Sequence, residues 1–149
     1  MKIRKARFSD VNRIYEIGKD EFKKTGWGYW FTKDNLRHLI SEQAELCWVL
    51  EINDRVEGAH FVLEEWDKNV WGWVILISKP FRQKGYGTLL FEETIKMLKK
   101  RHYQKMFADV AVGDIPSLKW HKRLGFKRLG IFEDWLGKGK DAIIFSVDI

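Results

Sequence analysis

The run Ile75-Leu76-Ile77-Ser78-Lys79-Pro80-Phe81-Arg82-Gln83-Lys84-Gly85-Tyr86-Gly87-Thr88-Leu89-Leu90 decides the fold. It opens on apolar, β-branched residues, which read as a buried strand. Pro80 has no N–H to give to a sheet ladder, so the strand ends near it. A basic turn with two glycines follows, and then a long helical pattern. At such a junction, free backbone N–H groups meet the positive end of the helix dipole, and together they attract phosphate. Gly85 and Gly87 carry no Cβ, which lets an anion come close to the backbone. Arg82 and Lys84 bring positive charge to the same turn.

The spacing is not that of the commoner phosphate loops. Leu90 stands where a dinucleotide fingerprint has its third glycine, and no Gly-Lys-Ser/Thr ends the loop. What stands here is Arg-x-x-Gly-x-Gly, at Arg82, Gly85 and Gly87. Taken alone, it also fits an ordinary strand-to-helix turn.

Upstream, Met1 to Phe8 alternates apolar and basic residues, as an edge strand does. Ser9 or Asp10 is placed to cap a helix carrying Val11, Ile14, Tyr15 and Ile17. Gly26-Trp27-Gly28-Tyr29-Trp30-Phe31 then packs four rings into a glycine-punctuated segment. These rings either plug the space between two helices or wall an acceptor pocket, where aromatic faces would attract an ammonium group. Thr32 caps a second helix with Leu36, Leu39 and Ile40 inward. Cys47–Ile52 and Val56–Trp66 read as a hairpin about Asn53-Asp54. In the next strand, strict alternation puts Trp71, Trp73 and Ile75 on one face and Val70, Val74 and Leu76 on the other. Glu64, Glu65 and Asp67 form an acidic group at its entry, either a solvated tip or a carboxylate for an amine.

Downstream, a helix runs to about His102, with Leu90, Phe91, Thr94, Ile95 and Leu98 inward. Lys105–Val112 is a strand, and Asp114 and Pro116 open a helix that Gly125 ends, with Phe126 packing back. Lys127–Trp135 and Ala142–Ile149 close the sheet. The order is β-α-α-β-β-β-α-β-α-β-β, an α/β arrangement with a mixed sheet.

A chain of 149 residues, 45% hydrophobic and 32% charged, is expected to form one domain over 1–149. Its net charge of +6 suits a solvated lysine-rich surface or a polyanionic ligand. The lysines are dispersed and no nucleic-acid motif is present, which argues against nucleic acid as a partner. Cys47 is the one cysteine, so no internal disulfide forms, and a cytoplasmic setting is expected. Charges recur throughout, and neither a membrane span nor a signal peptide is read. No metal is expected.

From the early strand through the Arg82/Gly85/Gly87 loop to Leu124-Gly125-Phe126, nearly the whole chain resembles the GNAT superfamily of acyl-CoA-dependent N-acyltransferases. That resemblance implies a mixed, mostly antiparallel sheet of about seven strands with four helices. It implies acetyl-CoA as cosubstrate and direct attack by a primary amine. Backbone groups of Ile75, Leu76 and Ile77 would pair with pantetheine, with the Ile77 N–H near the thioester carbonyl. Arg82, Gln83, Lys84, Gly85, Tyr86, Gly87 and Thr88 would wrap the pyrophosphate. The acceptor stays open between a protein N-terminus, a lysine side chain and a small-molecule amine, as does monomer against homodimer.

The chain departs from the family pattern at two places. His121 stands where a tyrosine often protonates the departing thiolate, and Asp114 where an asparagine is frequent. An imidazolium can donate a proton, or His121 is simply packed beside the cosubstrate. Asp114 is either a ligand or only a cap. In the branch that acetylates protein N-termini, a glutamate on the fifth strand is the base, and the matching residue is Asp109. A charge within Met106–Val112 needs a reason, whether as base or as a buried hydrogen-bond acceptor. His60 is a rival base. The departures also admit a catalytically silent module that binds acetyl-CoA or CoA.

Overall fold

The structure, a computed structural model, describes the backbone of residues 1–149 and every side chain except that of Trp27. Seven strands form one sheet: β1 (Lys2–Lys5), β2 (Cys47–Ile52), β3 (Arg55–Glu64), β4 (Asn69–Ile77), β5 (Lys105–Ala111), β6 (Lys127–Phe132) and β7 (Ala142–Asp148). Their spatial order is β1-β2-β3-β4-β5-β7-β6. All neighbours are antiparallel except β4 and β5. A parallel pair needs a long crossover, supplied by α3 (Tyr86–Lys100). The others are α1 (Val11–Thr25), α2 (Lys33–Glu42) and α4 (Ile115–Arg123). The element order and sheet type are those expected from the sequence.

Two apolar layers sandwich the sheet. On one face α1 and α2 bury Val11, Ile14, Leu36 and Ile40 against Val49, Phe61, Val74 and Leu76. On the other, α3 and α4 cover Trp48, Val62, Val70, Met106, Val110 and Phe145, with Phe91, Leu98 and Phe126 between. The β3 strand is buried from Val56 to Val62 because helices lie on both its faces. One charge survives there. Glu57 is 5% exposed, and it accepts from Arg13 of α1 at 2.6 Å and from the Ser78 hydroxyl. That network ties the start of α1 to the end of β4.

Three local expectations are corrected. Asp10 does not cap α1 through its side chain; its carboxylate accepts from Arg4 and from the Arg7 N–H, closing a short turn over Phe8–Asp10. The β6 strand ends at Phe132, which leaves Trp135 in the following turn. And β4 does not alternate strictly. Phe61 faces Val74 while Val62 faces Gly72, so Trp73 is a surplus residue in a β-bulge. The bulge reverses the parity, and Ile75 joins the α3 face while Trp73 stays on the α1 face. Gly72 was the one sequence sign of it, since a lone glycine inside a strand often marks a bulge.

Gly18 brings α1 close to β4. A Cβ there would lie 2.7 Å from Phe31 Cζ and 3.0 Å from Leu76 Cδ2. Alanine gains about 1 kcal/mol of helix propensity but overpacks the core at a cost of about 1–3 kcal/mol. Gly18→Ala is therefore expected to lower Tm by about 2–4 °C in a thermal melt followed by circular dichroism; a rise would show that Phe31 yields freely.

Candidate active site

The site begins where two strands part. β4 and β5 pair only through Asn69–Trp71 and Lys105–Phe107. Beyond that point the bulge at Trp73 bends β4 away, because an extra residue increases local twist. A cavity of about 300 Å³ opens in the cleft, lined among others by Ile75, Ile77, Asp109, Asp114 and His121. Which backbone groups face it follows from strand alternation. The Ser78 N–H donates to the Glu57 carbonyl at 2.8 Å, so Leu76 and Val74 also bond towards β3. Ile75 and Ile77 turn their amides into the cleft. Leu76 lines it with its side chain; its amide is committed to β3, contrary to the expectation that all three backbones face the cleft.

The cleft leads to the start of α3. Gly85 precedes the helix at φ 85°, a left-handed conformation that glycine adopts without strain. The first intrahelical bond there runs from the Leu89 N–H to the Gly85 carbonyl. The N–H groups of Tyr86, Gly87 and Thr88 are thus left over, and neither a capping side chain nor an acidic residue covers them. This donor set fits a polyanion. Lys84 stands beside it, its ammonium 5.8 Å from the Phe81 ring centroid. Arg82 points elsewhere: it donates to the Ile77 carbonyl at 2.8 Å and pairs with Glu21 of α1 at 3.2 Å. Its charge pins the end of β4 to α1, where the sequence suggested a phosphate ligand. Thr88 accepts from the Trp120 indole at 3.2 Å, which joins α3 to α4.

Asp109 lies two residues past the last β4–β5 pair, at the mouth of the cleft. The Trp71 indole donates to its Oδ1 at 2.7 Å and the Trp135 indole to its Oδ2 at 2.8 Å. Burial raises its pKa above the usual aspartate value, and the two indole bonds oppose that rise. Sequence reasoning missed both partners, which stand 38 and 26 positions away. Asp114 caps α4, accepting from the Ser117 N–H at 3.2 Å, and it faces the cleft.

His121 is 8% exposed, between Trp120, Phe126 and Phe145. Its Nδ1 lies 2.8 Å from the Ser117 carbonyl, which can only accept. The proton of the neutral ring is therefore on Nδ1, and Nε2 is an acceptor. Burial lowers its pKa, which disfavours the imidazolium that an acid role needs. His60 is 2% exposed, and its Nδ1 is 3.1 Å from the Thr94 hydroxyl, inside the α3 interface. It lines neither cavity, so it is no base here. Cys47 is buried, and burial pushes its thiol up to about 12.

A second cavity, of about 1060 Å³, adjoins the cleft on the α1 face. Tyr29, Trp30, Trp66, Trp73, Phe132 and the Asp109 partners Trp71 and Trp135 are among its lining residues. The aromatic segment before α2 thus contributes Tyr29 and Trp30 to this wall, while Phe31 is core. The Trp27 ring, also expected there, lies outside the described residues. Glu65 is the acidic-group residue that reaches the cavity. Among the described residues, no group of three His, Cys, Asp or Glu side chains is placed to hold a metal ion. Among the described residues, no helix is long and apolar enough to cross a membrane either.

Residues 11–126 match the family described as acetyltransferase (GNAT). An N-alpha-acetyltransferase of Sulfurisphaera tokodaii is 24% identical over 99% of this chain and 93% of its own. The ribosomal-protein-alanine N-acetyltransferase of Brucella melitensis superposes with a TM-score of 0.85 at 18% identity, covering 100% of both chains. The PaiA N-acetyltransferase of Thermoplasma acidophilum, solved in complex with coenzyme A, superposes at 0.83 with 17% identity, over 99% of this chain and 98% of that one.

The buried histidines make stability pH-dependent. Burial pushes His60 down to about 3. The unfolded chain then binds more protons below pH 6.5, so the stabilisation present above that pH is lost as pH falls. By pH 5 the loss from His60 is about 2 kcal/mol, and His121 adds in the same direction. Urea unfolding at pH 7 and 5 is expected to show the wild type losing about 2 kcal/mol more than His60→Gln. Equal losses would mean that His60 titrates normally.

Proposed function

Since the chain belongs to the acetyltransferase (GNAT) family, we propose that it moves an acetyl group from acetyl-CoA to the α-amine of a polypeptide N-terminus. One observation carries this reading: the parted strands β4 and β5 expose the Ile75 and Ile77 amides in a cleft with Asp109 at its mouth. The free N–H groups of Tyr86, Gly87 and Thr88, with Gln83, Lys84 and Gly85 around them, would hold the pyrophosphate. Ile75 and Ile77 would hold the pantetheine arm, and Arg82 and Glu21 keep that edge of β4 in place.

When bound, acetyl-CoA supplies a thioester whose carbon–sulfur bond breaks as the amine nitrogen bonds to the acetyl carbon. Asp109 takes the proton of the arriving ammonium. Its raised proton affinity brings it nearer to the working pH, which favours a general base. The Ile77 N–H, fixed before reaction, stabilises the negative charge that develops on oxygen. His121, with only Nε2 free, accepts a hydrogen bond in the cleft, and water carries the second proton, which the nitrogen sheds after attack, to the departing thiolate.

Proton affinity favours an α-amine over lysine as acceptor. An α-ammonium gives up its proton near pH 8, some two units below a lysine ammonium, so a carboxylate base has less to do. The aromatic cavity next to Asp109 suits an apolar side chain beside that amine. The acceptors in the names of the archaeal relative and the Brucella enzyme agree with this choice.

The test is thiol release from acetyl-CoA across short peptides. Free N-termini with Leu or Phe in the first two residues should exceed Gly-Gly peptides by about tenfold or more in kcat/KM. N-terminally blocked lysine peptides should be inert, and acetylation of their side chains would sink the α-amine assignment. Gly87→Leu is expected to raise KM for acetyl-CoA about tenfold with little change in Tm. A Cβ there meets only ordinary contacts, at 3.7 Å from Ile77, but a longer side chain would cover the free amides. Binding without turnover on any amine would favour the silent CoA-binding alternative.

A further inference from the structure

Asp109 is held in an unusual way. Among the described residues neither oxygen meets a cation; each accepts from one tryptophan, Trp71 on β4 and Trp135 in the turn after β6. The two rings approach each other at 6.4 Å between centroids. Trp71 also stacks on Phe107, and Trp135 packs edge-on to Phe132. The turn that aims Trp135 is itself pinned. The Asp134 N–H donates to Asp141 at 2.9 Å, the Gly139 N–H to Asp134 at 2.6 Å, and the Leu136 N–H to the Lys140 carbonyl at 3.0 Å. A half-exposed indole with a fixed backbone and a carboxylate partner has been given a task beyond packing.

We propose that Trp71 and Trp135 are positioning residues for Asp109: one indole N–H on each oxygen aims the carboxylate at the cleft and favours its charged form. The inference rests on Asp109 as the base proposed above. An indole carries no charge, so it can steady an anion without competing for the arriving ammonium, as an arginine or lysine would. The same rings wall the larger cavity, so an acceptor side chain seated there packs on the groups that hold the base. Other charged groups face the site from several elements. Glu21 from α1, Arg82 from the loop, and Asp114 and His121 from α4 line the cleft, and Glu65 lines the larger cavity. Arg82 is occupied by Glu21 and the Ile77 carbonyl. The electrostatic setting of Asp109 is therefore left largely to its burial, to the two indoles and to its own backbone N–H.

Phenylalanine removes the N–H and keeps an aromatic wall. Trp135→Phe and Trp71→Phe should each lose a donor to the ionised carboxylate, so Asp109 holds its proton to higher pH. The acid limb of kcat, measured with saturating acetyl-CoA and peptide, is expected to move up by about half to one unit. The ¹³Cγ titration of Asp109 by NMR should move by the same amount, and it needs no turnover. Asp109→Asn should abolish the limb and lower kcat about a hundredfold. If Asp109→Asn does so while both tryptophan variants leave limb and titration unmoved, the positioning role is wrong and the base stands. If Asp109→Asn keeps full rate and limb, the base reading itself falls, and this inference with it.

Discussion

Every backbone N–H taken out of water must find a partner, and β4 leaves those of Ile75 and Ile77 without a strand to meet. A sheet that zipped shut there would satisfy them and leave no cleft. The structure holds the strands apart by three means. The bulge at Trp73 bends β4, α1 presses on Leu76 through Gly18, and Arg82 and Glu57 anchor the far end to α1. The unsatisfied amides are thus a standing demand for a hydrogen-bonding ligand, and the uncapped start of α3 is a second demand, for negative charge. The two adjoin each other, since a Cβ on Gly87 would lie 3.7 Å from the Ile77 side chain.

The chemistry is divided between the two cavities. The narrow cleft offers fixed donors, and the broad aromatic one offers apolar surface. Asp109 lines the first and is held by walls of the second, so its carboxylate sits where the two cavities meet. Burial and hydrogen bonding act on it in opposite senses. The base role proposed for it would draw on both, a charged form to take a proton and enough basicity to hold it.

Much of this was legible in the chain. The element order, the glycine turn and the apolar faces of α2 and α3 follow from periodicity and turn chemistry, which are local. Asp109 was legible because a charge inside an apolar strand is conspicuous. What escaped was non-local or aperiodic. Strict alternation put Ile75 with Trp71 and Trp73, since one surplus residue is invisible to a period of two. Arg82 read as a phosphate ligand because its loop is basic, yet Glu21, 61 positions away, draws it inward. His121 read either as an acid or as a residue packed beside the cosubstrate, and only the structure shows the burial and the Ser117 carbonyl that bear on its proton. The indoles on Asp109 come from either side of it in the chain, 38 positions before and 26 after, and no spacing rule connects them.

The bulge has a consequence for how the sequence can drift. Because one unpaired residue sets which faces the side chains of β4 take on either side of it, swapping Trp73 for another amino acid preserves the count while removing it does not. Loss of the surplus residue would leave Phe61 facing Val74 and Leu63 facing Trp71 in regular register, but it would remove the bend and invite the strands to rejoin. The bend in β4 thus depends on how many residues stand between Gly72 and Val74 more than on which residue fills position 73.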